Sequence, residues 1–293
     1  IFEQYKIKSK FLINKKNKKK NDKIKTLCIG NIYLGGTGKT PTAIAIYSLL
    51  KKLNKNISTA KKYYKTQKDE HDLLKKFNLI LAKTREDIVN KAIKLKKKIL
   101  IFDDGLQDRY VDYDLKFVCF DADKWIGNGR LIPSGPLREK LESLNKYDAV
   151  FIKSRKKVDG YLIKSIKKIN PKMKIFFTRY KVINSKKFNK NNNFLIFSGI
   201  GNTDDFKKTL IKNKFKIVKE ITYPDHYKYK NKDIEEIKNQ AKNINAKIIT
   251  SEKDYVKVKK FDKKNIKFLK TSLIIQNEKE LFNFIKSNFY ETN

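Results

Sequence analysis

The chain has 293 residues and a formal net charge of +39, and hydrophobic residues make up 40% of it and aromatic residues 12%. This apolar content excludes a disordered chain, and the length suffices for one or two domains with buried cores. The charge indicates either an anionic partner, such as nucleic acid, a membrane surface or a phosphorylated substrate, or a lysine-rich solvated surface without a partner.

The first feature along the chain is a basic segment, Lys15 to Lys25, directly before the first predicted strand. Clustered lysines of this kind favour binding to anionic lipid. No stretch approaches the roughly 20 uninterrupted apolar residues that a membrane span needs. Because the chain starts at Ile1 and not at Met, a membrane anchor upstream stays open, and we expect the chain as given to attach peripherally.

The strongest motif is a glycine-rich loop between a predicted strand, Lys25 to Ile29, and a predicted helix, Thr42 to Leu50. The loop reads Gly35-Gly36-Thr37-Gly38-Lys39-Thr40. Its glycines let backbone N–H groups surround a polyphosphate, Lys39 can reach the β- and γ-phosphates, and the Thr40 hydroxyl can bind Mg²⁺. The helix N-terminus adds a favourable dipole. The usual pattern has a glycine at the position of Tyr33, so the sequence predicts a variant phosphate-binding loop, and a plain glycine-rich turn is the weaker alternative.

After this loop, strand and helix patterns alternate, as in a parallel sheet with crossover helices. Helices are predicted near residues 84–97 and 137–146. The predicted strands are Leu79–Ala82, Ile99–Phe102, Phe117–Phe120 and Ala149–Ile152. Cys28 and Cys119 lie in strand patterns, which favours buried free thiols over a disulfide or a metal site.

Two carboxylates, Asp103 and Asp104, directly follow the apolar strand Ile99–Phe102. A hydrophobic strand places its terminal carboxylate beside the phosphate loop, where it can hold Mg²⁺ directly or through water. An Asp pair at a strand end also occurs as a turn or a helix cap. Together with the glycine loop, the pair predicts a metal site formed by Thr40, Asp103 and Asp104.

A polar stretch, Asn184 to Asn193, separates a second series of elements from the first. Helices are predicted near 203–213, 231–243 and 277–288, and the strands are Phe194–Phe197, Phe215–Ile221, Lys247–Thr250 and Ile266–Leu273. We therefore predict an α/β fold: a P-loop NTPase-like parallel sheet with helices on both faces over residues 1–183, and a smaller α/β domain over residues 194–293.

Four motifs in this order resemble the tetraacyldisaccharide 4'-kinase family, the kinases of lipid A biosynthesis. They are Gly30-Asn31 with Gly35–Thr40, Asp103–Gly105 with Gln107, Gly127–Glu139, and Pro224–Tyr227. The resemblance covers the chain from about Thr26 to its end. It implies transfer of the γ-phosphate of MgATP to the 4'-hydroxyl of a tetraacyldisaccharide 1-phosphate, at the cytoplasmic face of the bacterial inner membrane. It also implies that the smaller domain contributes a loop to the catalytic site.

The resemblance further implies which residues handle the hydroxyl proton. Asp69 matches the Asp of the family's Gly-Asp-Glu motif, with Lys68 in place of the glycine, and His226 matches the histidine of its Pro-Asp-His motif. Asp69 can orient His226 or accept the proton itself, and the sequence does not distinguish the two. His71 is the only other histidine and is the reserve candidate. Lys39 completes the predicted catalytic set.

Arg130 and Arg138 are predicted to bind a substrate phosphate, because guanidinium groups match phosphate oxygens in a bidentate manner. Asn128 belongs to the same run, which the resemblance places near a glycolipid that already carries a phosphate. Trp125 and Ile126, just before it, could contact acyl chains, although an isolated aromatic residue more often serves packing.

The alternative function is a nucleic-acid-dependent P-loop ATPase, which fits both the charge and the glycine loop. The basic residues are dispersed, however, and no interleaved Arg–aromatic motif is present, so we expect no nucleic-acid partner. A guanine-nucleotide switch is less favoured, since Ser251-Glu252-Lys253-Asp254 does not match the spacing of the N-K-x-D base-reading motif.

Overall fold

A computed structural model describes residues 22–52, 56–201, 203–225, 227–258 and 264–290, apart from the side chain of Asp69. Most of the basic segment Lys15–Lys25 lies outside these residues. The strands are β1 (Lys25–Gly30), β2 (Ile57–Lys62), β3 (Ile80–Ala82), β4 (Ile99–Asp103), β5 (Leu115–Asp121), β6 (Ala149–Lys153), β7 (Lys174–Val182), β8 (Asn193–Ser198), β9 (Lys216–Thr222), β10 (Ala246–Ser251), β11 (Ile266–Leu269) and β12 (Thr271–Ile275). The helices are α1 (Lys39–Leu50), α2 (Lys68–Leu74), α3 (Arg85–Lys94), α4 (Gly160–Ile169), α5 (Thr203–Lys212), α6 (Asn231–Asn243), α7 (Glu252–Lys257) and α8 (Glu278–Tyr290).

The strands form two sheets. The larger has the order β12-β7-β6-β5-β1-β4-β2-β3 and is parallel except for β12, which runs antiparallel to β7. The smaller has the order β11-β10-β8-β9 and is parallel throughout. This architecture confirms the predicted α/β fold with a P-loop-type parallel sheet.

Helices cover both faces of the larger sheet because its central strands alternate apolar side chains between two cores. Cys28, Phe102 and Phe120 point to the core beneath α3 and α4. Cys119 and Phe117 point to the opposite core, beneath α1 and α8. The two cysteines are therefore buried on different faces, and both are free thiols as predicted. Burial raises the pKa of the Cys119 thiol to about 12.

The segment Ile266–Leu273, predicted as one strand, is two strands in different sheets. β11 pairs with β10 of the smaller sheet, and β12 pairs with β7 of the larger. The chain changes sheet at Lys270, whose N–H donates to Asn184 Oδ1 over 2.8 Å while its carbonyl accepts from the Ile183 N–H over 3.0 Å. Residues 271–290, predicted with the smaller unit, therefore complete an edge and a layer of the larger one.

The helix predicted near residues 137–146 is also wrong: residues 137–140 are not helical, and a 3₁₀ helix covers only Leu141–Lys146. The Arg138 N–H donates to the Ile32 carbonyl over 2.7 Å, and the Leu137 N–H donates to the Arg130 carbonyl over 3.1 Å. These bonds to other segments replace the bonds that a first helical turn would need.

Five elements were not predicted at all: β2, β7, α2, α4 and α7. Among the described residues, none of the helices combines the length and the apolar character required to cross a membrane.

Candidate active site

The phosphate loop lies between β1 and α1 and is held by the buried side chain of Asn31. Its Nδ2 donates to the Gly35 carbonyl over 3.2 Å and to Thr37 Oγ1 over 3.0 Å. Gly35 and Gly38 have φ values of 112° and 89°, in the left-handed region that favours glycine. The loop conformation therefore depends on the glycines that the sequence analysis singled out.

The run Gly127–Glu139 supports this loop from outside, which explains how the chain tolerates Tyr33. Tyr33 forms an antiparallel bridge with Leu137, and the Leu34 N–H donates to the Pro136 carbonyl over 2.7 Å. At the position where the usual motif has a glycine, this chain has Tyr33, whose backbone pairs with the run Gly127–Glu139. That pairing depends on residues about 100 positions apart and was not predicted.

Replacing Gly38 by Ala should lower the free energy of unfolding by about 1–2 kcal/mol, the cost of a left-handed conformation for a residue with a Cβ. Space is not the reason, because the nearest atom to the added Cβ would be the Tyr180 hydroxyl oxygen at 3.8 Å. Urea denaturation measures the change. Gly160→Ala is the matched control, since no atom lies within 4 Å and its φ is ordinary. Equal stability of the two variants would contradict the argument.

Asp103 ends β4, directly beside β1, and is fully buried. Its Oδ2 accepts hydrogen bonds from Thr40 Oγ1 and Lys61 Nζ, each over 2.8 Å. Its Oδ1 is buried and has no hydrogen-bond partner among the described residues. An unmet carboxylate oxygen beside a threonine hydroxyl fits a site for a hard cation or its bound water.

No group of three or more His, Cys, Asp or Glu residues in the described part of the chain is arranged to hold a metal. Mg²⁺ commonly binds through one or two carboxylates, with phosphate oxygens and waters as the other ligands. The residues around Asp103 therefore fit Mg²⁺ bound together with a nucleotide better than an all-protein metal site.

Asp104 follows in a left-handed conformation, with φ 68°, and faces two cations. Lys39 Nζ lies 3.9 Å from its Oδ2, and Arg138 Nη1 lies 3.5 Å from its Oδ1. Burial by itself would raise the pKa of this carboxyl, but Lys39, Arg138, Lys61 and Arg85 outweigh burial and leave the pKa below its ordinary value. Asp104 is thus held ionised beside the phosphate loop.

Lys61 is a site residue that the sequence analysis missed. It lies at the end of β2, is 3% exposed, and places Nζ 2.8 Å from Asp103 Oδ2 and 2.7 Å from Glu70 Oε2. Burial alone would lower the pKa of Lys61, but the two carboxylates reverse the effect and raise it above its ordinary value. The only sequence signal was a lysine directly after the short run Ile57–Ala60.

The described part of the structure does not test the predicted proton-handling pair, Asp69 and His226. Asp69 lies in α2, but its side chain is outside the described part of the structure, and so is His226. Both assignments stay predictions. The reserve candidate His71 is buried, at 4% exposure, and stacks on Tyr63 with 5.5 Å between ring centroids.

The three predicted substrate-binding residues differ in their surroundings. Arg138 faces Asp104, as described above, whereas Asn128 and Arg130 are exposed. Asn128 Nδ2 donates to the Ser134 carbonyl over 2.9 Å, and its Oδ1 accepts from the Arg130 N–H over 3.1 Å. Asn128 therefore has a clear role in shaping its own loop. Trp125 packs on Phe120, 4.7 Å between ring centroids, against a core cluster.

A cavity of about 930 Å³ lies between the elements of the two sheets. One wall carries residues Gly35 to Thr40, Asp104 and Arg138, and the other carries Gly201, Asp225 and Lys253. This volume is at the upper end of the range for small-molecule and cofactor sites. The predicted nucleotide-binding residues therefore open into a space large enough for a nucleotide and an acceptor group.

Two ionic contacts connect the sheets at the margins of this cavity. On one side, Lys153 Nζ of β6 lies 2.7 Å from Asp205 Oδ2 of α5 and 2.7 Å from Asp121 Oδ2 of β5, and Arg155 also pairs with Asp205. On the other side, Lys253 of α7 pairs with Glu70 of α2. The two walls are thus held together by charge as well as by packing.

Comparisons with known proteins agree with this geometry. Residues 5–290 match the family model described as tetraacyldisaccharide-1-P 4'-kinase. A tetraacyldisaccharide 4'-kinase of Pelagibacter ubique is 45% identical over 278 residues, covering 94% of this chain and 88% of that protein. One of Rickettsia bellii is 36% identical, covering 80% of this chain and 77% of that protein.

A solved structure, LpxK from Aquifex aeolicus in complex with ATP, is similar in fold. It superposes with a TM-score of 0.67 over 99% of this chain and 95% of that chain, at 21% sequence identity. Together these matches confirm the predicted resemblance and the predicted kinase activity, and they do not favour the nucleic-acid-dependent ATPase. The chain belongs to the tetraacyldisaccharide 4'-kinase family.

Proposed function

We propose that the chain binds MgATP at the phosphate loop and transfers the γ-phosphate to the 4'-hydroxyl of a tetraacyldisaccharide 1-phosphate. The observation that carries the proposal is the shared cavity, in which Lys39, Asp104 and Arg138 face a wall formed by the smaller sheet. The ATP complex of the Aquifex relative and the names of the curated relatives support the same donor and acceptor.

The charges around Asp104 suit phosphoryl transfer. The reaction spreads negative charge over the oxygens of the transferred group, and preorganised cations stabilise that charge. Lys39 and Arg138 are both within 4 Å of Asp104, so two cations converge on one point of the cavity. Arg138 would therefore act on the nucleotide side of the reaction, and binding of the acceptor's own phosphate by Arg130 stays a prediction.

Thr40, Asp103 and Asp104 would hold Mg²⁺. Bound there, the ion would neutralise charge on the phosphate oxygens and keep them in place. The chain's own contribution is to hold both carboxylates in place. Lys61 does so for Asp103 through a direct hydrogen bond, and Lys39 does so for Asp104 through a longer ion pair.

Deprotonation of the acceptor hydroxyl is assigned to Asp69 and His226. Support comes from their sequence neighbours: Glu70 and Asp225 line the cavity from its two sides. A residue from each unit would then act on one hydroxyl. Whether Asp69 accepts the proton or orients His226 is a question for the pH dependence of kcat.

The acceptor's acyl chains require a membrane or micelle, so we infer that the protein acts at an anionic membrane surface, on the cytoplasmic side. The net charge of +39 supports attraction to such a surface. Leu34, 45% exposed beside the phosphate loop, offers an apolar contact near the cavity.

The deciding experiment is transfer of ³²P from γ-labelled ATP to the glycolipid, with purified protein in mixed micelles. We expect labelled glycolipid whose formation requires Mg²⁺. In parallel, ATP hydrolysis is measured with DNA, with RNA and with micelles lacking the acceptor. Hydrolysis stimulated by nucleic acid without labelled glycolipid would overturn the proposal.

A further inference from the structure

Lys253 lies between two carboxylates that belong to different parts of the molecule. Its Nζ is 3.5 Å from Glu70 Oε1 and 3.6 Å from Asp225 Oδ1. Glu70 follows Asp69 in α2, and Asp225 precedes His226 in the chain. One lysine thus contacts the immediate neighbours of both predicted proton-handling residues.

The backbone that carries Lys253 is firmly fixed. Ser251 caps α7 by accepting from the Asp254 N–H over 3.0 Å, and the fully buried Asp254 accepts from the Tyr229 hydroxyl over 3.1 Å. Lys257, at the end of α7, donates to the Gly199 carbonyl over 2.7 Å. These bonds tie the helix to two other segments of the smaller sheet, so the position from which Lys253 reaches out is rigid.

On the other side, Glu70 is held by a second lysine. Its Oε2 lies 2.7 Å from Lys61 Nζ, which in turn lies 2.8 Å from Asp103 Oδ2. Alternating charges therefore run across the cavity margin in the order Asp103, Lys61, Glu70, Lys253, Asp225. This chain of ion pairs begins at the predicted metal ligand and ends beside His226 in sequence.

Asp225 also lies close to the phosphate loop. A Cβ added to Gly201 would come within 2.8 Å of Asp225 Oδ2, and within 3.8 Å of the Gly36 backbone nitrogen. The loop that carries Asp225 therefore packs over Gly201, which packs over the phosphate loop.

From this geometry we propose that Lys253 is a positioning residue, which links Glu70 of α2 to Asp225 and so fixes the separation of the two cavity walls that carry the predicted proton-handling residues. Glu70 and Asp225 each lie within 3.6 Å of one nitrogen, so removing the lysine removes the ionic link between the two segments. The inference rests on the proposed phosphotransfer function and adds a residue to it.

The test compares Lys253→Met with Lys253→Arg in the glycolipid transfer assay. Misalignment of reacting groups by about 1 Å can cost about 100-fold in rate, so we expect Lys253→Met to lower kcat by about 10-fold to 100-fold. The KM for ATP should stay nearly constant, since the phosphate loop is untouched. Lys253→Arg keeps the charge and should restore most of the kcat.

Lys242→Met, at an exposed lysine of α6, is the matched control and should behave like wild type.

A second measurement separates positioning from simple stability. Lys253→Met combined with Glu70→Gln should lower kcat by less than the product of the two single effects, because both changes remove the Lys253–Glu70 contact. Asp225→Asn, at a more exposed position, should reproduce the loss of kcat if Lys253→Met does not fold. An unchanged kcat, or a loss that tracks a lower melting temperature and is not rescued by Arg, would overturn the inference. An inactive wild type would instead overturn the proposed function.

Discussion

Replacing Lys39 by Met is expected to abolish measurable phosphate transfer, lowering kcat by about a thousandfold. Removal of one preorganised group that stabilises transition-state charge costs about 10²–10³ in kcat, and here the group carries a full charge. Lys39 is the first residue of α1, directly after Gly38, and its side chain lines the cavity with its Nζ 3.9 Å from Asp104. Methionine keeps most of the apolar stem, so the change removes the charge and little else.

The fold should tolerate this substitution because Asp104 keeps its second cation, Arg138, at 3.5 Å. The measurements are single-turnover transfer from γ-labelled ATP and thermal denaturation. Lys94→Met is the control: this exposed lysine lies on α3, on the opposite face of the sheet from α1. Retention of wild-type kcat by Lys39→Met would exclude the phosphate loop from the reaction.

Asp103→Asn should have the second-largest effect, because it weakens both the metal site and a buried ion pair. We expect kcat to fall by about 10²–10³ and the Mg²⁺ concentration for half-maximal rate to rise. Breaking a buried ion pair from one side typically costs about 3–5 kcal/mol. Since Lys61 keeps Glu70 at 2.7 Å, the loss of unfolding free energy should lie near the lower end of that range.

The two effects are separated by Mg²⁺ titration of activity and by urea denaturation. Asp114→Asn is a useful comparison, since Asp114 accepts from the Thr26 N–H and hydroxyl, each over 2.8 Å, near the start of β1 and away from the phosphate loop. It should lose stability without a change in Mg²⁺ dependence. An Asp103→Asn enzyme with the wild-type Mg²⁺ requirement would contradict the metal assignment.

The parts of the site that could be predicted are those with a local sequence signal. Gly35–Thr40 is a contiguous motif, and Asp103 follows an uninterrupted apolar strand, so spacing alone identifies both. The parallel sheet was predictable for the same reason, because its central strands are buried on both faces and read as short apolar runs. Gly35–Thr40 line one cavity together with Asp104, the residue directly after Asp103.

β2 could not be predicted because its polar side chains are buried, and two of them have partners far away in the chain. Ser58, Thr59 and Lys61 are each no more than 3% exposed. Thr59 donates to the Phe77 carbonyl over 2.9 Å, and Lys61 pairs with Asp103, 42 residues away. A strand with several buried polar side chains lacks the apolar pattern of an ordinary core strand, so its sequence predicts a solvated loop. The role of Lys253 could not be predicted for a related reason: its two partners, Glu70 and Asp225, come close to it only in the folded structure.

The change of sheet at Lys270 has a consequence for how the chain could be cut. Asn184 bonds to both the Phe268 carbonyl and the Lys270 N–H, so the points where the chain leaves the larger sheet and returns to it are adjacent. The smaller sheet with its helices is therefore an insertion, whose two ends meet at one place. Truncation after Lys270 would strip β12 and α8 from the nucleotide-binding half and leave the inserted half complete. Residues 184–270 are thus the segment to excise as one piece or to exchange between relatives, with a short linker from 183 to 271.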